Sequence, residues 1–126
     1  MKLRNGKTIN AFCKKNVYGN GQPKSLAFYK NNIIEGEYKE WYPNGQMSLQ
    51  IFYRDGKLNG EFNEWYSNGN VRFKTFYRNN KIVDECKSWF NNGQLGTHTT
   101  YDKNGNRLEH KTWYLDGQLQ SHTSYK

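Results

Sequence analysis

Residues 41–60 read WYPNGQMSLQIFYRDGKLNG, and one phrase occurs there twice: Trp41-Tyr42-Pro43-Asn44-Gly45-Gln46-Met47, then Phe52-Tyr53-Arg54-Asp55-Gly56-Lys57-Leu58. Both copies place Asn-Gly or Asp-Gly between runs of alternating apolar residues, which is the strongest short-range signal for a β-hairpin. A two-residue type I′ turn needs φ > 0 at both central positions, and Gly and Asn tolerate this best.

Outward from this stretch the phrase recurs. Val17, Trp41, Trp65, Trp89 and Trp113 follow one another about 24 residues apart, heading the copies VYGNGQP, WYPNGQM, WYSNGNV, WFNNGQL and WYLDGQL. Halfway through each unit a second turn appears as FYKNNII, FYRDGKL, FYRNNKI and the longer TYDKNGNRL. Self-similarity at a fixed period of this size marks a repeat architecture. The runs between turns are short and rich in Tyr, Phe, Trp, Ile and Thr, which suits strands and leaves no room for helices. The expected fold is all-β: an elongated, single-layer antiparallel meander of about ten strands, near 50 Å long at about 4.8 Å per strand. Residues 1–16 form a basic N-terminal cap and first strand. Residues 17–126 form one continuous domain of five units, at 17–40, 41–64, 65–88, 89–112 and the partial 113–126.

With Asn44-Gly45 as a two-residue loop, Tyr42 faces Met47, Glu40 faces Leu49 and Tyr38 faces Ile51 on one side of the sheet. Trp41, Ser48, Gln50 and Phe52 face the other way. In the next unit Phe62, Tyr66, Val71, Phe73 and Tyr77 share the first face, and Trp65, Arg72, Lys74 and Phe76 share the second. One face is mostly apolar and the other sets aromatic rings among charges.

The units resemble the MORN-repeat-variant family, which repeats an aromatic-Tyr-x-Asn-Gly-(Gln/Lys) phrase followed by a Gly-bearing second turn such as Asp55-Gly56-Lys57-Leu58-Asn59-Gly60. The resemblance covers roughly residues 17–126. It implies a single-layer sheet of hairpins used as a protein–protein interaction scaffold, and many bacterial members are antitoxin- or immunity-like. The chain departs from the pattern at Val17, at Asn31-Asn32 and Asn79-Asn80, and at Asp84, where Gly36 and Gly60 stand in other units.

The formal net charge is +8. Residues 1–30 hold Lys2, Arg4, Lys7, Lys14, Lys15, Lys24 and Lys30 and no acid, whereas residues 31–126 carry 12 cationic side chains against 11 acids. A basic end of this kind protects an exposed sheet edge from pairing, or steers the chain to an acidic protein, nucleic acid or an anionic phospholipid surface. The repeated aromatics, Trp41, Trp65, Trp89 and Trp113 with Tyr42, Tyr66 and Tyr114, read as packing between units. Partner contact is then expected among the variable polar residues beside them: Lys39, Gln50, Arg72, Lys74, Lys87 and Lys111. The aromatic hairpins are also similar to choline- and glucan-binding cell-wall repeats, which makes carbohydrate- or choline-type binding a third reading.

Other chemistries find little support. Glu40, Glu64 and Glu109 recur without a cleft-forming second layer, and no Gly-x-Ser-x-Gly elbow or phosphate-cradling Gly-rich loop occurs, so no enzyme and no cofactor are expected. Cys13 and Cys86 fall about six strands apart, too far for a disulfide. No Cys-His spacing resembles a zinc site, and strand parity puts His98 and His122 on one face with Lys111 and His110 on the other, so no metal is expected. The N-terminus lacks the apolar core of a signal peptide, which leads to the expectation of a cytoplasmic protein. Open sheet edges add edge-to-edge self-association to the expected partners.

Overall fold

In a computed structural model that describes residues 10–125, the chain is one open antiparallel sheet without helices. Its strands are β1 (Ala11–Val17), β2 (Pro23–Lys30), β3 (Ile33–Ile34), β4 (Gly36–Trp41), β5 (Met47–Arg54), β6 (Lys57–Trp65), β7 (Val71–Arg78), β8 (Lys81–Trp89), β9 (Leu95–Tyr101), β10 (Arg107–Trp113) and β11 (Leu119–Ser124). They follow chain order, except that β3 and β4 both pair β2 as two pieces of one interrupted strand. The interruption falls at Glu35, next to Gly36 with its φ of 82°, and it accounts for an eleventh strand where about ten were expected.

The two turns of each unit are of different kinds, which corrects one expectation. At Asn44-Gly45 only the glycine has positive φ, at 89°; Gly45 N–H donates to the Tyr42 carbonyl and Tyr42 N–H to the Gln46 carbonyl. This is a three-residue loop closed by a glycine bulge rather than a two-residue type I′ turn. The same bonds recur at Gly21, Gly69, Gly93, Gly105 and Gly117. True two-residue turns with both central φ values positive sit at Asn31-Asn32, Asp55-Gly56 and Asn79-Asn80. Register near the first kind of turn changes accordingly. Trp41, not Tyr42, opposes Met47, and after a bulge Glu40 opposes Leu49 and Tyr38 opposes Ile51 as expected.

Each unit is tied to the next through its three-residue turn. The hydroxyls of Tyr18, Tyr42 and Tyr66 donate at 2.6 Å to the carbonyls of Trp41, Trp65 and Trp89, one unit onward. Asn44 caps its own turn by accepting from Gln46 N–H and donates from Nδ2 to the Ser67 carbonyl; Asn68 and Asn92 repeat this toward Asn91 and Leu115. An aspartate can do only the first of these jobs, and Asp116 does that one, accepting from Gln118 N–H.

A single sheet has no sealed interior, and among the described residues no large side chain is fully buried. What core exists runs as a row across the first face: Tyr38, Ile51, Phe62, Thr75, Cys86, Thr99 and His110 are paired in succession. Ile51, Thr75, Cys86 and Thr99 in this row are buried. Beside them Phe62 meets Phe73 edge-on at 5.9 Å and Tyr77 at 5.5 Å. Tyr53 and Tyr77 lie opposite Gly36 and Gly60 in the ladder. Burial on this face pushes the hydroxyls of Tyr53, Tyr77 and Tyr101 above the usual tyrosine range, and that of Tyr38, which also donates to Glu40, to about 12.

Candidate binding faces

On the second face one polar row crosses the whole sheet. Lys15, Leu26, Lys39, Gln50, Asn63, Lys74, Lys87, His98, Lys111 and His122 are paired in unbroken succession from β1 to β11. Five of the residues expected to contact a partner, Lys39, Gln50, Lys74, Lys87 and Lys111, fall in it. This follows from the period of about 24 residues, which returns every second strand to the same register.

A parallel row of acids, missed in the sequence, neutralises part of this charge. Glu37, Glu61, Glu85 and Glu109 occupy the same position in successive units, two residues before Lys39, Asn63, Lys87 and Lys111 on the same strands. Lys39 meets Glu37 at 2.9 Å and Lys87 meets Glu85 at 3.7 Å, while His98 reaches Glu85 at 2.6 Å and His122 reaches Glu109 at 3.6 Å. Gln50 donates to Glu37, and the buried Asn63 donates to Gln50. The Glu85 carboxyl is held below the usual carboxylate range, chiefly by His98. For Glu37, burial acts upward but is outweighed by bonds from Lys39 and Gln50. Among the described residues no carboxylate lies within 4.0 Å of Lys74 or Lys111. The signal for the acidic row was the same 24-residue recurrence that exposed the tryptophans.

Arg72 departs from the expectation. A bulge between Glu64/Phe73 and Trp65/Val71 turns it off the second face, and its guanidinium lies over the Tyr66 ring at 5.7 Å. Bulges re-aim side chains in this way. Lys24, at the equivalent bulge of the first hairpin, lies over Tyr18 at the same 5.7 Å. Each cation borders an open cleft on the first face, of about 360 Å³ beside Lys24 and about 480 Å³ beside Arg72. The clefts are the same feature two units apart, with Tyr18, Glu40, Tyr42 and Ser48 in one replaced by Tyr66, Ser88, Phe90 and Gly96 in the other.

Strands β1 to β3 carry Lys14, Lys15, Lys24 and Lys30 and the exposed Phe12, Val17, Phe28 and Ile33, with Phe12 and Lys14 on one face and Phe28 and Lys15 on the other. Lys2, Arg4 and Lys7 lie outside the described residues. Trp41, Trp65, Trp89 and Trp113 are all half-buried, as are Tyr42 and Tyr66, while Tyr114 is exposed. His98 and His122 flank Lys111, and His110 lies on the other face with Nδ1 at 2.7 Å from the Thr99 hydroxyl. Cys13 is exposed and Cys86 buried, both free.

No curated protein matches the chain. The family model of the MORN repeat variant matches residues 34–55, 58–79 and 108–126, together half of the sequence. Each matched segment corresponds to one hairpin with its three-residue turn, and residues 80–107, which include Asp84, Phe90 and Gly96, fall between them. MORN repeats are generally protein- or membrane-binding motifs. With the repeat period, the hairpin pairing and the tyrosine and asparagine links all in agreement with that match, the chain belongs to the MORN repeat variant family.

Proposed function

We propose that the chain is a non-enzymatic scaffold that binds a protein partner across the second sheet face and masks it, in the manner of an antitoxin or immunity protein inside the cell. The observation that carries this reading is the in-register row from Lys39 to His122, in which paired ions alternate with the unpaired Lys74 and Lys111. A row of fixed charges at strand spacing suits a protein surface, because complementary charge sets register and rejects wrong partners. Tagged protein used as bait in nuclease-treated cell extract, eluted with rising salt and read by mass spectrometry, should retain one stoichiometric protein at high salt. Substitution of Lys74 and Lys111 by Glu should release it. Capture of no protein at all sinks the reading.

A second reading has its own observation. Phe12, Val17, Phe28 and Ile33 are each 42–54% exposed in β1 to β3, strands that also carry Lys14, Lys15, Lys24 and Lys30 and no acid. Exposed apolar side chains on a strongly cationic hairpin suit an anionic phospholipid surface. Sedimentation with phosphatidylserine vesicles that is abolished by added salt and by Lys14→Glu with Lys15→Glu supports it. Equal binding to neutral vesicles overturns it.

A further inference from the structure

We infer that the two clefts at Lys24 and Arg72 form a bidentate docking site for an extended acidic segment of a protein partner, on the face opposite Lys74 and Lys111. The bulge column that builds the clefts reads Lys24, Ser48, Arg72, Gly96 and Gln120 in successive units, so cations occupy its first and third places only. At both cationic places a tyrosine ring underlies the charge at 5.7 Å and holds it over the cleft. Among the described residues neither Lys24 nor Arg72 has a carboxylate within 4.0 Å, unlike Lys39 and Lys87 on the other face.

The remaining charges in the clefts are two carboxylates. Glu40 accepts the Tyr38 hydroxyl, and Glu64 lines the wall of the Arg72 cleft. The wider cleft also has room for a side chain next to the anion. Its position equivalent to Glu40 is the shorter, uncharged Ser88, and the Phe73 and Phe90 rings flank the space, Phe90 packing over Gly96. Four strand steps separate the two cations, about 19 Å, which an extended segment spans with carboxylates about six residues apart. The net charge of +8 favours an acidic occupant.

The test is a titration of isotope-labelled full chain, followed by NMR, with a synthetic peptide carrying two glutamates about six residues apart. Its all-glutamine counterpart is the control. Shifts should concentrate at Tyr18, Tyr66 and Phe90. Lys24→Gln with Arg72→Gln should weaken binding about tenfold, since both anchors of a two-point contact are lost. Glu64→Gln should strengthen it, and Lys74→Gln should leave it unchanged. Lys24 and Arg72 are exposed, so the doubly substituted chain should keep the parent spectrum elsewhere. Equal binding of the glutamine peptide, shifts centred on the Lys74 face, or equal losses from Lys74→Gln and Arg72→Gln would each overturn the inference. Because the proposed scaffold role rests on Lys74 and Lys111, its failure in the pull-down leaves this titration unaffected, and the reverse also holds.

Discussion

The two faces of this sheet are made by the same strands and differ in what holds them. The first is joined by rings: Tyr38, Phe62, Phe73 and Tyr77 bury Ile51 and Thr75 and shield one another. The second is joined by ions and amides: Glu37 with Lys39 and Gln50, and Glu85 with Lys87 and His98. A single layer cannot exclude water from either side, so each ring must be covered by its neighbours in the next strand. Charged pairs at half-exposed sites are worth little by comparison, since water competes for both partners. The first face therefore sets stability, and the second is free to vary with whatever it binds.

The largest expected effect tests this division directly. Ile51→Ala removes a side chain only 5% exposed from the centre of the ring-lined face and should cost about 3 kcal/mol. Lys87→Ala, one face away and paired only with the half-exposed Glu85, should cost less than about 1 kcal/mol. Urea unfolding of the two variants beside the parent chain supplies the comparison. Equal losses would mean that the ion rows carry as much of the fold as the rings do.

Much of this division was legible in the sequence. The alternation of Tyr38, Glu40, Leu49 and Ile51 against Lys39 and Gln50 sorts the faces correctly, because a strand has no other way to dispose successive side chains. The turn at Asn44-Gly45 was misread because the dipeptide suits both a type I′ turn and a glycine bulge. What separates them is the pairing of Tyr42 with Gln46, a fact of the ladder rather than of the pair. That misreading carried Arg72 to the wrong face, since the bulge beside the turn is what redirects it. The Glu37–Glu109 row was fully present in the 24-residue recurrence. The two clefts were not, because they depend on the bulges that turn Lys24 and Arg72 over Tyr18 and Tyr66.

The next effect concerns how units are joined on the first face. Tyr42→Phe deletes the hydroxyl that donates to the Trp65 carbonyl and should cost about 1 kcal/mol, while Tyr114→Phe, whose exposed hydroxyl has no such bond, should cost nothing measurable. The chain already contains the reciprocal case. Phe90 stands where the other heads have tyrosine and packs its ring over Gly96, where an added Cβ would lie 3.4 Å from it. Phe90→Tyr, aimed at the Trp113 carbonyl, should gain up to about 1 kcal/mol. Equal losses at Tyr42 and Tyr114 would show that ring burial, and not the hydroxyl link, joins the units.

The smallest expected effect separates the faces by pH. On the second face the folded-state carboxyls of Glu37 and Glu85 lie below their ordinary value, so their contribution is present above that value and is lost as pH falls through the folded one. On the first face Tyr38, Tyr53, Tyr77 and Tyr101 are raised. The unfolded chain releases those protons first, and their contribution is lost as pH climbs from 10.0 toward about 12. Urea midpoints measured across pH at low and high salt should show an acid limb that flattens with salt, because exposed ion pairs are screened. The alkaline limb should hardly move with salt, since burial is its largest cause. Glu85→Gln should flatten only the acid limb and Tyr38→Phe only the alkaline one. If either substitution changed both limbs, the faces would be coupled through the strands they share, and the second would not be free to vary for binding without altering the fold.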